Sequence, residues 1–371
     1  MSLVERTRRD DDRRSRTRDM TMTSLRPIEF RSDNAAGAAP ELVAAIVAAN
    51  VGSALAYGGD EWTARVQTRA AEVFEYPGVQ VFPVGSGTAA NAIGLSAICP
   101  PWGSVLCHDT AHILRSECAA TSMFGGGAAL RGIGGDDYKV SPAALRQAFA
   151  ETRWGDPHHS QPSVLSLTSP TDFGSIYAVA EVAELANIAH EQGLRAHLDG
   201  ARVANAIAAL GCSPADLTWR AGIDVMSLGA IKNGAVSTDA IVSFNPAASE
   251  ELVYRVKRAG HVASKMRFQS AQIETYLTDA LWLRLAENAN ATMRRLATGL
   301  RGLGVEFLAE PQVNMLFARV GPEASALMAE SELYFYEMEP GAIRLVTSFQ
   351  TTDDDIDEAL ARVAAALEAT S

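Results

Sequence analysis

The sequence predicts an α/β protein in which a mostly parallel β-sheet is flanked by helices and followed by a smaller α+β C-terminal domain. From Phe30 to about residue 247, short apolar runs of strand length alternate with amphipathic stretches of helix length. This alternation is typical of parallel sheets that are covered on both faces. Beyond residue 247 a long helical stretch and a few further strands replace it. We therefore expect a large domain over residues 27–270 and a small domain over residues 271–371.

In the large domain, the amphipathic stretches predict helices and the apolar runs predict strands. The helices are expected over residues 40–50, 60–75, 88–97, 142–151 and 179–192. The strands are expected over residues 79–84, 104–107, 128–133, 163–167, 194–198, 223–228 and 240–244. Right-handed crossover connections bring the carboxyl ends of the parallel strands to one edge of the sheet. Folds of this kind bind their ligands at that edge.

The small domain is predicted from a change in the hydrophobic pattern. Residues 262–300 contain no proline and predict a long helix that bridges the two domains. Three strands are then expected over residues 305–308, 315–320 and 343–349, and a final helix over residues 353–369. Glycine precedes the first and the last of these strands, which is typical of a turn at a strand boundary.

The composition favours a folded enzyme. The chain has 371 residues, of which 47% are hydrophobic and 20% are charged, as in globular proteins. Its net charge of -12 argues against nucleic acid or an anionic membrane as a partner. No apolar run has the roughly 20 residues that span a bilayer. The four cysteines include no CxxC pair and no secretory signal is recognised, so we expect reduced thiols and a cytoplasmic location.

The first 26 residues differ from the rest of the chain. They carry eight arginines against five acidic residues and few side chains that could pack in a core. A transit peptide is rich in arginine but poor in acids, and the acidic run at residues 10–12 does not fit one. We expect a disordered N-terminal lead.

Two charged side chains follow buried strands of the predicted sheet. Asp199 comes directly after the apolar run 194–198, and Lys232 follows the run 223–228. A lysine at a strand end can form a Schiff base, and an aspartate can keep a pyridinium nitrogen protonated. Taken alone, each side chain is better explained as a surface lysine or a helix-capping aspartate. Together and in this order, they predict a pyridoxal phosphate (PLP) site.

A glycine-rich turn, Val84-Gly-Ser-Gly-Thr-Ala-Ala90, follows a predicted strand and opens a predicted helix. Small residues at a helix start let backbone amides approach a phosphate. The same letters fit the dinucleotide fingerprint, with Asp109 near the place of a ribose-binding acid. An NAD-dependent oxidoreductase is therefore a distant alternative, although it leaves Asp199 and Lys232 without a role.

The histidines suggest one further alternative. His108 and His112 have the spacing of a zinc helix, but the glutamate of the HExxH motif is missing and His108 ends a strand. We therefore expect no metal site. His112 lies near the glycine-rich turn, where an imidazole could stack on a planar cofactor and move protons. Arg202 and Arg344 are candidates for binding an amino-acid carboxylate, because a guanidinium grips a carboxylate through two hydrogen bonds.

With these residues in hand, the chain resembles the low-specificity L-threonine aldolases, which belong to the β-eliminating lyase group of fold-type I PLP enzymes. The resemblance covers all but the lead. It is carried by the motifs at residues 30–34, 56–60, 87–91, 109–112, 198–205, 232–234, 264–267 and 344–347. It implies cleavage of L-threonine, L-allo-threonine and related β-hydroxy-α-amino acids to glycine and an aldehyde. Another PLP-dependent lyase or an aminotransferase stays open as an alternative.

The resemblance also implies roles for individual residues. Lys232 would hold PLP as a Schiff base, Asp199 would pair with the pyridine nitrogen, and His112 would stack on the ring. The remaining cofactor contacts would come from Ser86, Gly87, Thr88, Arg202 and Arg267. The substrate carboxylate would be bound by Ser32, Arg202 and Arg344. Arg267 would reach the site of a neighbouring subunit, which implies a homo-oligomer, either a dimer or a tetramer built from two dimers.

The chain departs from its relatives at one loop. Some of them carry a second histidine that touches the substrate hydroxyl, where residues 169–174 offer only Thr171 and Asp172. The base that removes the hydroxyl proton is therefore either His112 or Asp172, and we favour His112.

Overall fold

The computed structural model describes residues 26–370, so all but one residue of the predicted N-terminal lead lies outside the described part. The helices are α1 Pro40–Ala49, α2 Glu61–Val73, α3 Gly87–Ile98, α4 His112–Arg115, α5 Ala120–Phe124, α6 Pro142–Ala150, α7 Val179–Glu191, α8 Val203–Leu210, α9 Pro214–Leu217, α10 Pro246–Arg258, α11 Arg267–Leu277, α12 Leu281–Gly302, α13 Pro322–Glu330 and α14 Asp353–Glu368. The strands are β1 Ile28–Glu29, β2 Gln80–Val84, β3 Gly103–His108, β4 Ala129–Ile133, β5 Gln161–Thr168, β6 Arg195–Gly200, β7 Val225–Leu228, β8 Asp239–Ser243, β9 Glu306–Ala309, β10 Met315–Arg319, β11 Leu333–Tyr334, β12 Tyr336–Glu339 and β13 Ala342–Val346.

Seven strands form the large sheet, in the order β2-β8-β7-β6-β5-β3-β4. Strand β8 is antiparallel to both of its neighbours, and the other neighbouring strands are parallel. In the central strands β6 and β7, every residue except Arg195 is buried, because helices cover both faces of the sheet, as is typical of parallel sheets. This confirms the predicted mostly parallel sheet flanked by helices.

The register of the central strands brings their carboxyl ends together. Thr168 at the end of β5 pairs with Asp199 on β6, and Asp199 pairs with Ser227 on β7. Polar side chains that are about 30 residues apart in the sequence are thus neighbours at one edge. This is the edge where the sequence predicts a ligand site.

The C-terminal part contains a smaller, antiparallel sheet in the order β12-β13-β10-β9. Its core includes Ile343 and Leu345 from β13 and Ile356 from α14. Ile28 and Phe30, near the start of the described chain, pack in this same core, and β1 pairs with β11. The predicted smaller α+β unit is confirmed, whereas its exact boundaries stay a prediction.

The prediction of one continuous helix over residues 262–300 is wrong. The structure has α11 and α12 there, separated by a break at Asp279 and Ala280, whose φ angles are 48° and 54°. A left-handed conformation cannot continue a right-handed helix. The absence of proline gave no sign of this break, because Asp279 and Ala280 are residues that helices tolerate.

Helix α12 packs in both hydrophobic cores. Leu281, Trp282 and Ala286 in its first half join the core under the large sheet, while Met293 and Leu296 in its second half join the C-terminal core. The bridging position that the sequence predicts for this stretch is thus occupied by α12. Among residues 26–370, no helix combines the length and the apolar character needed to cross a membrane.

The structure also contains elements that the sequence analysis did not predict. They are the helices α4, α5, α8, α9, α10, α11 as a separate unit and α13, together with the short strands β1, β11 and β12. The missed strands have two to four residues, too few for a hydrophobic period to stand out.

We expect Trp282→Ala to lower the free energy of unfolding by about 3–5 kcal/mol, as for other buried tryptophans. Trp282 is 1% exposed and packs edge-on against Phe74, and its backbone carbonyl accepts a hydrogen bond from Asn233 Nδ2. Urea denaturation followed by circular dichroism measures the change. Trp102→Ala is the matched control, since Trp102 is 71% exposed and should change the stability by no more than about 0.5 kcal/mol. Equal effects of the two variants would contradict the conclusion that the first half of α12 stabilises the core under the large sheet.

Candidate active site

A cavity of about 240 Å3 opens at the carboxyl edge of the large sheet. Thr168, Asp199 and Ser227, from three neighbouring strands, form part of its wall. Of the ten predicted site residues, those that line it are Ser86, Gly87, Thr88, His112, Asp199, Arg202 and Lys232. Residues that are far apart in the sequence therefore meet at the place where the parallel strands end.

Ser32, Arg267 and Arg344 do not line this cavity. A larger surface groove of about 660 Å3 lies beside Met123 and Tyr254, and none of the predicted site residues line it. Size alone would favour that groove, but the titratable side chains converge on the smaller cavity, which we take as the candidate site.

Asp199 is 2% exposed and is held by hydrogen bonds on both carboxylate oxygens. Its Oδ1 accepts from the Ala201 amide at 3.1 Å and from the Ser227 hydroxyl at 3.3 Å. Its Oδ2 accepts from Asn91 Nδ2 at 3.1 Å. A buried carboxylate needs such partners, and here they fix its direction toward the cavity.

Lys232 lies on a short turn after β7 that is held by a carboxylate. Asp239 Oδ1 accepts from the amides of Ala230 and Ile231 at 2.7 and 3.0 Å. Burial lowers the pKa of the Lys232 ammonium, and the nearby positive charge of Arg202 lowers it further. A larger fraction of Lys232 is therefore an unprotonated amine, the form that attacks an aldehyde.

The glycine-rich turn forms the start of α3. Ser86 caps this helix, and its Oγ accepts from the Ala89 amide at 3.2 Å. The amides of Gly87 and Thr88 lie in the first turn, where an α-helix offers no internal acceptor. The turn can therefore donate to an anion in the cavity. Its Gly85 amide donates to His261 Nδ1 at 3.2 Å, a contact that the sequence analysis did not foresee for this histidine.

His112 begins the short helix α4 and is joined to a buried carboxylate. His112 Nδ1 donates to Glu117 Oε1 at 3.0 Å. This hydrogen bond raises the pKa of His112 above its ordinary value, although burial opposes the change. Asn91 Nδ2 also donates to Glu117 Oε1, at 3.0 Å. Glu117 shows no period or motif that would mark it, and Asn91 ends the motif at residues 87–91 but received no role of its own from the sequence.

Arg202 forms a buried, two-pronged ion pair with Asp33. Arg202 Nε and Nη2 lie 2.5 and 2.9 Å from the two oxygens of Asp33, which also accepts from Asn314 Nδ2. Burial alone would favour the neutral acid, but the charge and the hydrogen bonds of Arg202 lower the pKa of Asp33 overall. The sequence analysis gave Asp33 no role of its own, although it follows the predicted Ser32.

The other predicted carboxylate-binding residues lie near this pair. Arg344 on β13 donates from Nη2 to the Arg31 carbonyl at 3.1 Å, and within the described residues its buried Nε has no hydrogen-bond partner. Burial lowers the pKa of Arg344, and the charge of Arg202 lowers it further. Ser32 Oγ accepts from the Asn34 amide at 3.1 Å. An incompletely satisfied guanidinium beside Arg202 is suited to an anionic ligand.

Arg267 points away from the cavity of its own chain. Its Nη1 donates to the backbone carbonyls of Val51 and Gly52 at 3.4 and 3.2 Å. The side chain is thus fixed on the loop between α1 and α2.

The loop after β5 brings Asp172 to the cavity wall. Asp172 Oδ2 is buried and accepts no hydrogen bond from any described residue. Burial raises the pKa of Asp172, and the negative charge of Asp199 raises it further. Thr171, the other candidate in this loop, accepts from the Ser175 amide through its Oγ1. Of the two, Asp172 is therefore the side chain that faces the cavity.

The structure also bears on the two alternative site types. His108 is bonded to Thr110 and to the Gly135 carbonyl rather than paired with His112. Over residues 26–370, no group of three or more His, Cys, Asp and Glu side chains could hold a metal ion. Asp109, the acid of the dinucleotide interpretation, does not line the cavity.

The chemistry of the cavity fits PLP. A buried lysine offers an amine for the aldehyde, a buried carboxylate suits a protonated pyridine nitrogen, and a helix start suits the phosphate. An imidazole, His112, lies in the same cavity. The distant alternative of a nicotinamide cofactor would leave the amine and this carboxylate unused.

Known proteins with similar sequences and structures include several threonine aldolases. The chain is 38% identical over 343 residues to the low specificity L-threonine aldolase of Pseudomonas sp. (strain NCIMB 10558), covering 92% of this chain and 98% of that one. It is 38% identical over 332 residues to that of Pseudomonas aeruginosa, covering 89% and 95%. The structure matches threonine aldolase of Leishmania major with a TM-score of 0.85 and 25% identity, covering 93% and 100%. The resemblance seen in the sequence and its fold-type I architecture are thereby confirmed.

The family match spans all the residues that line the cavity. The model of the β-eliminating lyase family matches residues 29–322, which include the whole large sheet, the glycine-rich turn, Asp199 and Lys232. This match covers well over half of the chain, and the chain belongs to the β-eliminating lyases.

Proposed function

We propose that this protein is a PLP-dependent aldolase that cleaves L-threonine and related β-hydroxy-α-amino acids to glycine and an aldehyde. The observation that carries the proposal is the meeting of Lys232, Asp199 and the glycine-rich turn in one cavity. Full-length similarity to low specificity L-threonine aldolases supports it. The enzyme is accordingly a carbon–carbon lyase.

Lys232, Asp199 and the start of α3 would hold the cofactor. When bound, PLP supplies the electron sink for a bond broken at the substrate Cα. Asp199 would keep the pyridine nitrogen protonated, since its carboxylate is fixed by three partners and directed at the cavity. Ser86, Gly87 and Thr88 would receive the phosphate, and His112 would stack on the ring. Arg202 and Arg267 are proposed as further cofactor contacts.

The substrate carboxylate would lie between Arg202 and Arg344, close to Ser32. Asp33 orients Arg202 by occupying its Nε and Nη2, so the remaining Nη1 is the donor that we assign to the substrate. Arg344 contributes its buried Nε. Holding the carboxylate in this way aligns the Cα–Cβ bond for cleavage, because the orientation of the amino acid is fixed at two points.

The hydroxyl proton of the substrate would be taken by His112. Glu117 engages Nδ1 of His112, so Nε2 is the nitrogen that is left for the substrate. Asp172 is the alternative base, but burial and the charge of Asp199 raise its pKa and so enlarge the fraction in the neutral form, which can donate its own proton in a hydrogen bond and is a poor acceptor of another proton. We therefore assign the proton transfer to His112 and a contact with the hydroxyl to Asp172.

We also propose a cytoplasmic homo-oligomer, either a dimer or a dimer of dimers, with sites at the subunit interface. Val47, Val51 and Leu55, along α1 and the following loop, are 68%, 75% and 76% exposed. An exposed apolar patch of this kind is typical of a surface that another subunit covers. Arg267 is fixed on the same loop, from which it would serve the neighbouring site.

Product analysis tests the proposed reaction. Purified protein with added PLP is incubated with L-threonine or phenylserine, and amino acids, aldehydes and keto acids are quantified. Equimolar glycine and aldehyde are expected. A keto acid formed by elimination or transamination would instead support one of the alternative PLP activities, since Lys232, Asp199 and the arginines would serve those reactions as well.

Lys232→Ala is expected to abolish turnover and covalent attachment of the cofactor. The parent protein should be yellow, with absorbance near ~420 nm from the protonated Schiff base. After borohydride reduction and proteolysis, mass spectrometry should find the cofactor on the peptide that contains Lys232. Lys265→Ala is the control and should retain colour, label and activity. Label on Lys265, or a fully active Lys232→Ala enzyme, would refute the assignment.

His112→Asn should lower kcat/KM for L-threonine by about 10- to 1,000-fold, the usual contribution of a positioned general base. A base works only when deprotonated, so parent activity should fall as the pH drops through the pKa of His112. The Glu117 hydrogen bond raises this pKa. The acid limb of the plot of kcat/KM against pH should therefore lie above the ordinary histidine pKa of about 6.5. The variant should lack that limb.

Asp172→Ala is the companion variant for this test. It removes the other titratable side chain that faces the hydroxyl, and we expect a rise in KM and a smaller fall in kcat. An inactive Asp172→Ala enzyme together with a nearly normal His112→Asn enzyme would show instead that Asp172 is the base.

A further inference from the structure

Asn91 joins two buried carboxylates of the site through one amide group. Its Nδ2 lies 3.1 Å from Asp199 Oδ2 and 3.0 Å from Glu117 Oε1. An amide nitrogen carries two hydrogens, so each carboxylate receives one. The reversed orientation would set the amide oxygen against two negative oxygens, which is unfavourable. We call this arrangement the Asn91 bridge.

Glu117 connects the Asn91 bridge to His112. The side chain of Glu117 is 1% exposed while that of His112 is 37% exposed, so the carboxylate lies behind the imidazole as seen from the solvent. Glu117 Oε1 can only accept, and His112 Nδ1 must therefore carry the proton between them. In the neutral ring, Nε2 is then the unprotonated nitrogen.

The backbone around Glu117 gives a second, independent observation. The two residues that follow it, Cys118 and Ala119, have φ angles of 49° and 60°. A left-handed conformation costs a residue other than glycine about 1–3 kcal/mol and persists only where the surroundings impose it. Two such residues in succession turn the chain back at the point where the Glu117 side chain enters the interior.

We propose that Glu117, anchored by Asn91, is a positioning residue that keeps the proton on Nδ1 of His112, so that Nε2 is the acceptor for the substrate hydroxyl proton. The proposal rests on the proposed aldolase reaction and deepens it. Glu117 also lines the cavity, and the role that we assign to it is exercised through His112. The hydroxyl proton moves to Nε2, the ring becomes a cation, and the carboxylate of Glu117 stabilises that cation at Nδ1.

The Asn91 bridge gives this pair a fixed position relative to the cofactor. The amide that stabilises the Glu117 anion also stabilises the Asp199 anion, so the base and the partner of the pyridine nitrogen share one anchor on α3. The other charges that act on His112 come from Asp172 and Asp199, and both are negative. Glu117 differs from these two carboxylates because it alone accepts the hydrogen bond of His112.

NMR titration of histidine rings in the full-length chain, first without and then with PLP, tests the proposal. The chain has seven histidines, and the His112 signals are identified by their loss in His112→Asn. Glu117→Gln should lower the pKa of His112 by about 1–2 pH units, as expected for the loss of a hydrogen bond to a charged group. Asp172→Asn is the matched control, since it removes a carboxylate that acts on His112 through charge alone, and it should lower this pKa by less.

The same variants link the titration to catalysis. In Glu117→Gln, kcat should fall by about 10- to 100-fold because the cation formed at His112 is no longer stabilised, and the acid limb should move down in step with the NMR value. Glu117→Asp keeps the charge and should give a pKa between those of the parent and Glu117→Gln. It also serves as the second variant if Glu117→Gln does not fold.

The proposal is overturned if His112 titrates alike in the parent, Glu117→Gln and Glu117→Asp, or if Asp172→Asn has the larger effect. Failure of the proposed function gives a different result. In that case the parent forms no glycine from L-threonine, while the NMR titration still reports whether Glu117 controls the pKa of His112.

Discussion

Every carboxylate buried at the carboxyl edge of the large sheet has to be partnered, and this requirement organises the site. An ionised carboxylate without a partner is too costly to keep in a protein interior. Asp33 is paired with Arg202, and Glu117 with His112. Asp239 accepts two backbone amides, and Asp199 is bonded to Asn91, Ser227 and the Ala201 amide. Each partnership fixes the direction of a second group that faces the cavity.

Asp172 lacks such partners among the described residues, although it shares a raised pKa with Asp239 and an unbonded buried oxygen with Glu117. Its Oδ2 is buried without a partner among the described residues, and its pKa is raised rather than lowered. The carboxylates of Asp33 and Asp199 accept hydrogen bonds on both oxygens, whereas Asp172 faces burial and the charge of Asp199. A carboxyl group whose pKa is raised in this way is suited to donate a hydrogen bond, whereas a carboxylate that is held by donors is suited to pair with a cation.

The sequence predicted the sheet and its ligand edge well, because apolar runs and strand-end charges are local signals. Asp199 and Lys232 were found in this way, as was the glycine-rich turn. The roles of Asn91 and Glu117 could not be predicted from the sequence, because they depend on contacts between residues that are far apart in the chain. Asn91 is 26 positions from Glu117 and 108 positions from Asp199. The break at Asp279 and Ala280 was missed for a related reason. The left-handed conformation there has no local signal, since neither residue forbids a helix.

The position of the first described strand has a consequence for how the protein is made. Ile28 on β1 pairs with Leu333 on β11, and Asp33, a few residues later, accepts a hydrogen bond from Asn314. These contacts join residues that are about 280 to 305 positions apart in the sequence and are therefore synthesised at different times. The large sheet ends at Ser243 and can form earlier, whereas Asp33, which is paired with Arg202, gains its contact with Asn314 only after residue 314 has been made. Contacts of such long sequence separation form late in folding. A nascent chain therefore completes the strands of the large sheet before it can form the contacts that hold Asp33 beside Arg202.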